Sequence, residues 1–322
     1  ALRSALAQTS DEIEILVSDN GSKDATPQVL APYRDPRLRQ FRREQTVSAT
    51  AHGNFLLDQA RGTYFLGLSD DDYIEPDFAA QVLALLRRRP ELAFVYTGCL
   101  VHYGEAAVPC LTGPEREDGL DFIAAFYAGR REVCWCACVT RVAMLRAIGP
   151  IPDGRIFGDM FYWTRLAFMG PVGCVPDALS HYTFMTSDNL SSGVPVPAWG
   201  RETRELADGV LERYRHAARA PAAVEALRAD CARFVARSTA NQFIWCAIRG
   251  ARKQALLGAL AAVPALLSPD MRVWPRVLLA LCLPPRWLRR LVLASAARRA
   301  NHRSRSVSEA GAAVAAPPSS RR

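Results

Sequence analysis

Two runs of β-forming residues end at acidic, turn-forming residues, and this repeated arrangement constrains the fold more than any other feature of the chain. The first run, Ile13-Glu14-Ile15-Leu16-Val17, leads into Ser18-Asp19-Asn20-Gly21. The second run, Tyr64-Phe65-Leu66-Gly67-Leu68, leads into Ser69-Asp70-Asp71-Asp72. In open α/β sheets, ligands bind beyond the carboxyl ends of the strands. Two acidic strand ends in one sheet therefore predict a shared cleft of nucleotide size.

Strand-like and helix-like segments alternate over residues 1–100. The helix that begins near Pro76 and Asp77 is closed by Pro90. This alternation is typical of an α/β fold with a mostly parallel, doubly wound sheet flanked by helices. The segments that we predict are 13–17, 27–33, 38–42, 51–60, 64–68, 76–89 and 93–96.

The acidic triplet Asp70-Asp71-Asp72 suits a hard divalent cation. Carboxylates bind Mg²⁺ or Mn²⁺ together with the phosphates of a substrate. An isolated acidic triplet is more often a solvated turn. The second acidic strand end upstream favours the metal-binding interpretation.

The block Val17-Ser18-Asp19-Asn20-Gly21-Ser22-Lys23-Asp24-Ala25-Thr26 resembles the V-D-D-G-S-x-D-x-T segment of family 2 glycosyltransferases, which have the GT-A fold. Asn54, Gly62 and the stretch over residues 64–76 resemble that family's N…A-x-G-x-Y…D-x-D-D-x-x-x-P pattern. Ser69 stands at the first acid of the family's D-x-D triplet, and Gly53 stands where a cationic residue is common. The resemblance implies contacts to a nucleotide-sugar donor from Asp19, Asn20, Asp24, Asn54 and Asp70. It also implies that Asp71 and Asp72 bind Mn²⁺ or Mg²⁺.

A third match lies downstream, in Phe157-Gly158-Asp159-Met160-Phe161-Tyr162-Trp163-Thr164-Arg165-Leu166, which resembles the family's E-D-x-x-x-x-x-R-L helix. The resemblance implies that Asp159 is the general base of an inverting transfer. Gly158 replaces the usual glutamate. Considered alone, Asp159 could also be a helix cap or an acid of the first helical turn.

Residues 180–191 resemble the family's terminal strand and flexible loop, whose Arg and His positions fall on Thr183 and Met185.

The chemistry of glycosyl transfer needs the residue types found here. A divalent metal stabilises the charge that develops on a diphosphate leaving group, and a carboxylate accepts the proton of the acceptor hydroxyl.

The chain of 322 residues is 50% hydrophobic, so it can bury a substantial core. Nine cysteines, with no visible signal peptide, indicate a reducing compartment and free thiols. Cys134, Cys136 and Cys138 alternate, which predicts that they share one face of a strand. Core packing is favoured over a metal site there, because alternate positions on one strand do not surround an ion without further partners.

The net charge of +8 includes an arginine concentration near the C-terminus, without the stacking aromatic residues of a nucleic-acid surface, and we predict no nucleic-acid partner. Two apolar stretches, 255–267 and 277–283, are too short to span a bilayer. Apolar helices beside arginines suit the interface of an anionic membrane. A helical cap packed on the domain is an equal alternative.

We divide the chain into four predicted regions. These are a nucleotide-sugar-binding half (1–100) that lacks the family's first strand, an acceptor-binding half (101–195), an amphipathic helical region (196–300) and a disordered tail (301–322). The motifs and the family resemblance together predict a metal-dependent, inverting GT-A glycosyltransferase with a C-terminal helical extension. It would transfer a sugar to a lipid-linked or polysaccharide acceptor at the cytoplasmic face of the plasma membrane, in bacterial envelope synthesis. The alternatives are a nucleotidyltransferase and a non-catalytic nucleotide-sugar-binding protein.

Overall fold

A computed structural model describes residues 1–184, 193–217, 220–249 and 273–315. Strands and helices alternate in the first part of the chain, and helices follow from residue 196 onward. The strands are β1 (Ile15–Asp19), β2 (Leu38–Arg42), β3 (Tyr64–Leu66), β4 (Tyr73–Ile74), β5 (Phe94–Tyr103), β6 (Ala106–Pro109), β7 (Arg116–Glu117), β8 (Cys138–Arg141) and β9 (Val172–Phe184). The helices are α1 (Leu2–Leu6), α2 (Thr26–Leu30), α3 (Ala49–Gln59), α4 (Phe78–Arg88), α5 (Gly119–Tyr127), α6 (Val142–Ile148), α7 (Gly158–Leu166), α8 (Val196–His216), α9 (Pro221–Ile248), α10 (Val273–Cys282) and α11 (Pro285–Ala315).

The described strands form two sheets. Strands β1 and β2 pair in parallel, and the larger sheet has the order β3-β8-β5-β9-β4, with β6 on β5 and β7 on β9. In the larger sheet β5 and β9 are parallel, whereas β8 runs antiparallel to both β3 and β5. The predicted α/β class and C-terminal helices are confirmed, but the sheet is mixed rather than mostly parallel. Hydrophobic runs reveal strands without revealing their direction, so the insertion of β8 between β3 and β5 was not visible in the sequence.

Local sequence explains the helices that frame the cleft. Helix α4 buries Phe78, Val82, Leu85 and Leu86, which recur on one face at helical spacing. Helix α3 begins at the cap residue Ser48, whose hydroxyl accepts a hydrogen bond from the Ala51 N–H at 3.1 Å. In the sequence, α3 precedes β3 and α4 follows β4, so the two helices flank the segment that contains Asp70, Asp71 and Asp72.

The cysteine prediction is wrong in its geometry. A 3-10 turn at Trp135–Ala137 interrupts the predicted strand, and β8 begins only at Cys138. Cys136 therefore joins a small cluster around Cys99, whereas Cys138 joins the main core. The alternation of the cysteines does not place all three on one face.

The C-terminal helices extend the domain. Helices α8 and α9 pack together, and α10 and α11 pack on α9. Helix α11 runs to Ala315, so the first part of the predicted disordered tail is helical, and residues 316–322 lie outside the described residues. Among the described helices, none has the length and apolarity needed to cross a bilayer. The other predicted region boundaries stay predictions.

Candidate active site

The carboxylate of Asp19 closes the first acidic strand end. It is the last residue of β1 and is 5% exposed. Its Oδ1 accepts a hydrogen bond from the Ser22 N–H at 2.8 Å, and its Oδ2 lies 3.2 Å from Arg42 Nε. The hydrogen bonds from Ser22, helped by the nearby Arg42 charge, hold the pKa of Asp19 below its usual value. Arg42 thus pairs with the charge of this carboxylate, although the buried Oδ2 has no hydrogen-bond partner among the described residues.

The residues after Asp19 are also held by backbone contacts. The Asn20 side chain donates to the Val47 carbonyl at 2.8 Å and accepts from the Val47 N–H at 3.1 Å. Gly21 has φ +75°, where a side chain would be strained. Asp24 is exposed and accepts a hydrogen bond from the Thr26 N–H at 2.9 Å. Asn20 and Asp24 thus shape the turn, and their predicted contacts to a donor stay predictions.

The second acidic strand end is the loop between β3 and β4, residues 67–72, which we call the acidic loop. Its carboxylate oxygens have only some of the hydrogen bonds they can accept. Asp70 is exposed, and Asp71 is half-buried. Asp72 is fully buried, and its Oδ1 accepts a hydrogen bond from the Thr183 N–H at 2.8 Å. The Thr183 hydroxyl donates to the Asp71 carbonyl at 2.6 Å. The end of β9 therefore holds the acidic loop in place.

No side-chain cation among the described residues forms an ion pair with the carboxylates of this loop. Burial raises the pKa of Asp71, and the neighbouring Asp70 adds to the effect. Burial raises the pKa of Asp72 to about 7, and its Oδ2 has no hydrogen-bond partner in the described part of the chain. An oxygen donor set with uncompensated negative charge fits a hard divalent cation. Asp71 is better placed as a direct ligand, because the Asp72 side chain is enclosed beside Thr183 and Cys136.

Asp159 lies in the first turn of α7. Its Oδ1 accepts a hydrogen bond from the Met160 N–H at 2.7 Å. Burial raises the pKa of Asp159 to about 6, and the nearby charge of Glu202 adds a smaller contribution. Backbone N–H groups at a helix start favour the ionised form, so this carboxylate can be ionised at neutral pH and still accept a proton.

Two contacts that sequence reasoning missed fix the start of α7. The Asn54 side chain donates to the Ile151 carbonyl at 2.8 Å and accepts from the Ile151 N–H at 2.9 Å. The Glu202 carboxylate, on α8, accepts hydrogen bonds from the N–H groups of Ile156 at 2.9 Å and Phe157 at 3.0 Å. Asn54 therefore couples α3 to the loop before α7, and its predicted contact to a donor stays a prediction.

Gly158, at the family's glutamate position, faces the same loop. A Cβ atom there would lie 3.0 Å from Ile151 Cδ1, closer than most such contacts in proteins. A side chain at this position would therefore have to displace Ile151. Glu202 supplies a carboxylate near the helix start from another element, which only the fold could reveal.

The start of β8 lies near both Asp159 of α7 and the end of β3, which leads into the acidic loop. Val139 of β8 pairs with Leu66 of β3, four residues before Asp70. The charge of Asp159 acts on the neighbouring Cys138 thiol and helps to raise its pKa. Because Cys136 adjoins Asp72, the segment 136–138 lies near both predicted sites, which are distant in sequence.

Trp135 lines this edge and was not identified from the sequence. Its ring stacks on Tyr162 of α7 with centroids 6.5 Å apart. A Cβ atom at Gly67 would lie only 2.1 Å from Trp135 Nε1, so the glycine lets the indole pack against the end of β3. The indole connects the acidic loop to the helix that bears Asp159.

A histidine pair adjoins the acidic loop. His181 Nε2 lies 2.7 Å from Glu75 Oε1, and His181 Nδ1 lies 3.0 Å from His102 Nε2. The Tyr73 ring stacks on His181 with centroids 4.1 Å apart. The family's histidine position, Met185, lies outside the described residues. His181 is thus part of a polar contact network rather than an isolated residue of the strand.

Part of the chain is similar to known proteins. Residues 1–105 match the family described as glycosyl transferase family 2. The succinoglycan biosynthesis protein ExoO of Rhizobium meliloti is 36% identical over 77 residues, which are 24% of this chain and 22% of that protein. The chondroitin synthase of Escherichia coli is 34% identical over 98 residues, which are 30% of this chain and 14% of that protein. The matches thus span less than a quarter of the length of these two relatives.

Solved structures extend the similarity to most of the chain. The S. aureus protein TarS 1-349 in complex with UDP aligns with a TM-score of 0.57 at 18% identity, over 87% of this chain and 83% of that one. Its complex with UDP-GlcNAc aligns with a TM-score of 0.54 at 17% identity, over 80% and 84%. At this identity the comparison establishes the fold. Residues 1–105 therefore match glycosyl transferase family 2, and the chain shares the GT-A fold over most of its length.

Proposed function

We propose that this protein is a metal-dependent, inverting glycosyltransferase that transfers a sugar from a nucleotide-sugar donor to a lipid-linked or polysaccharide acceptor. One observation carries the proposal. The carboxylates Asp71 and Asp72, whose pKa values are raised by burial, and the Asp159 carboxylate, with its pKa raised to about 6, all lie near the segment 136–138. A site that must neutralise a diphosphate and accept a proton needs both groups.

The residues of the cleft divide this work between them. Asp19 accepts a hydrogen bond from the nucleobase at the end of β1, and Asp70 contacts the donor sugar or ribose. Asp71 binds a divalent cation, Mn²⁺ or Mg²⁺, which when bound neutralises charge on the donor diphosphate. Asp72 and Thr183 keep the acidic loop in position, supported by their 2.8 Å hydrogen bond.

Asp159 accepts the proton of the acceptor hydroxyl as that oxygen attacks the anomeric carbon. The Met160 N–H, at 2.7 Å from Oδ1, fixes the carboxylate and favours its ionised form. Attack from the face opposite the leaving diphosphate inverts the anomeric configuration in one displacement. The contacts of Asn54 and Glu202 with the loop before α7 support the position of the helix that bears Asp159.

The side chains of the C-terminal helices favour an acceptor that has both an apolar part and a negatively charged part. A cleft of about 1380 Å³ lies among α9, α10, α11 and the end of the larger sheet. Aromatic and arginine side chains line it together, including Trp199, Trp245, Arg286 and Arg290. Arginines suit phosphate, and aromatic rings suit an apolar chain. A lipid-linked sugar phosphate has both chemistries.

Turnover assays distinguish this function from its rivals. Purified protein is incubated with a panel of UDP-, GDP- and dTDP-sugars, Mn²⁺ and a lipid-linked or oligosaccharide acceptor pool. We expect release of a nucleoside diphosphate that stops when EDTA is added. Release of inorganic diphosphate would identify a nucleotidyltransferase. Binding of a nucleotide-sugar without turnover on any acceptor would identify a non-catalytic protein.

We also propose that α10 and α11 contact an anionic membrane on its cytoplasmic face. The exposed apolar side chains Leu278, Leu279, Leu281, Trp287 and Leu291 lie beside exposed arginines of α11. Each basic residue near an anionic surface contributes about 1 kcal/mol. The full chain should sediment with phosphatidylglycerol vesicles at low salt and be released by added salt. Equal binding to neutral vesicles, or none to either, would leave only the packed helical cap.

A further inference from the structure

Four of the nine cysteines lie together beside the acidic loop, where Cys136 adjoins Asp72, although they come from separate segments. Cys99 lies in β5, Cys110 follows β6, and Cys134 and Cys136 flank Trp135 at the 3-10 turn. The sulfur atoms of Cys99, Cys110 and Cys134 all lie within 4.8 Å of one another. Cys136 packs in the same cluster.

The spacing of two sulfur atoms in the cluster suits a tetrahedral thiolate site. The Cys110 and Cys134 sulfur atoms are 3.8 Å apart. Zinc–sulfur bonds of about 2.3 Å in a tetrahedron place two sulfur atoms about 3.8 Å apart. A disulfide would bring them to about 2.05 Å, and all four residues are free cysteines. Packed thiols alone can touch at this distance, but core packing does not require three of them to converge on one point.

Backbone contacts hold the ligand segments together. The Cys110 N–H donates to the Cys99 carbonyl at 2.8 Å across the β5–β6 hairpin. The Ala137 N–H donates to the Cys134 carbonyl at 3.1 Å and closes the 3-10 turn. Cys99 and Cys136 are buried, whereas Cys110 and Cys134 are partly exposed.

We propose that Cys99, Cys110 and Cys134 bind a structural Zn²⁺ ion as thiolates, with Cys136 as the fourth ligand. In this structure the Cys136 thiol points to the His181 carbonyl at 3.8 Å, so it must rotate to complete the tetrahedron. Closed four-thiolate sites are structural rather than catalytic. The ion would join the hairpin to the turn that bears Trp135, and so support one wall of the cleft.

Metal content tests this proposal without any turnover, so its result is independent of the proposed transferase activity. The full chain is purified without chelator, exchanged into metal-free buffer and analysed for zinc by mass spectrometry. We expect about one zinc per chain. Cys110→Ser and Cys134→Ser should contain none, whereas Cys138→Ser and Cys231→Ser, two buried cysteines outside the cluster, should keep it. Asp71→Asn should also keep it, which separates this site from the acidic loop.

A second measurement covers the case in which a ligand variant does not fold. The unmodified chain is titrated with a mercurial thiol reagent while a zinc indicator reports release of the ion. Release should accompany modification of three or four thiols, and peptide mapping should place them at the cluster. A chain that binds no zinc even after supplementation, that keeps zinc in the Cys110 and Cys134 variants, or that contains a Cys110–Cys134 disulfide would overturn the proposal.

Discussion

The two acidic strand ends have the same sequence pattern but opposite electrostatics. At the end of β1, Asp19 receives a hydrogen bond from the Ser22 N–H and lies 3.2 Å from Arg42 Nε, and its pKa is lowered. At the loop after β3, burial raises the pKa values of Asp71 and Asp72, and no side-chain cation among the described residues forms an ion pair with them. The charge at the first end is paired with Arg42, whereas no ion pair is present at the second end among the described residues.

This difference separates two kinds of binding residue. A carboxylate already stabilised by the protein can accept a hydrogen bond from a donor without changing its own charge state. A carboxylate held in a costly environment gains from an added cation, which makes binding of that cation favourable. We therefore expect changes at Asp19 to affect donor affinity, and changes in the acidic loop to affect the response to metal.

The largest expected effect concerns Asp159, which shares the raised pKa of the second end. Asp159→Asn should lower kcat by about 10²- to 10⁴-fold, the range for loss of a general base, while donor affinity is kept. In the unmodified protein, turnover should rise with pH through about 6 and level off above it, because the base must be ionised. Stopped-time assays from pH 5 to 8 measure both effects.

The Asn variant should show a flat profile through that range. If Asp159 served only the first turn of α7, the variant would lose about 1 kcal/mol of stability with near-normal turnover. Retained turnover in the folded Asn variant would remove Asp159 as the base.

The next largest effect is on stability, and it tests whether the Asp72 charge is costly to the folded protein. The pKa of Asp72 is about 7 in the folded state against an ordinary 3.8, so the folded protein holds more protons between these values. Its free energy of unfolding should therefore fall as pH rises from about 4 to about 7. In EDTA at pH 8, Asp72→Asn should be more stable by about 2 kcal/mol, because it removes a buried charge and keeps the oxygen that accepts from Thr183.

Denaturant unfolding at several pH values measures the change, with Asp70→Asn as the exposed control. An Asp72→Asn variant that is no more stable than the parent at pH 8 would contradict the view that this charge is uncompensated.

The smallest effect belongs to Asp19. Asp19→Asn keeps an acceptor for the Ser22 N–H but removes a charge, so donor affinity should fall about tenfold, near the lower limit for a charged hydrogen bond. The exposed Arg42 makes its ion pair worth less than about 1 kcal/mol, and stability should change little. Titration calorimetry with the nucleotide-sugar measures affinity. A change within about twofold would remove the proposed contact with the nucleobase.

Much of the fold followed from local sequence, because strand runs, caps and helix periodicity are local properties. Strand β2 was predicted at its observed bounds, and the pattern of α4 identified its buried face. The direction of β8 did not follow, since pairing is set by contacts far apart in the chain. The cysteines showed the same limit, because one 3-10 turn separated residues whose spacing suggested a single face.

The sequence identified the carboxylates of the candidate site but not the residues that contact them. Asp19, Asp71 and Asp159 stood out because each follows a strand or opens a helix. Their different charge environments depend on Ser22, Thr183 and Glu202, and the last two are distant in sequence. The roles of Trp135 and of the Asn54 contact with Ile151 were equally invisible, because neither has a sequence signal apart from the fold.

The most direct test of this account measures how Mn²⁺ changes the affinity for a nucleoside diphosphate. Titration calorimetry with UDP and GDP, each with Mn²⁺ and with EDTA, is performed on the unmodified chain, Asp71→Asn and Asp19→Asn. The account predicts that Mn²⁺ tightens binding by about tenfold or more in the unmodified chain and in Asp19→Asn, and not in Asp71→Asn. The same affinity with and without Mn²⁺ in the unmodified chain, or an unchanged metal response in Asp71→Asn, would contradict it.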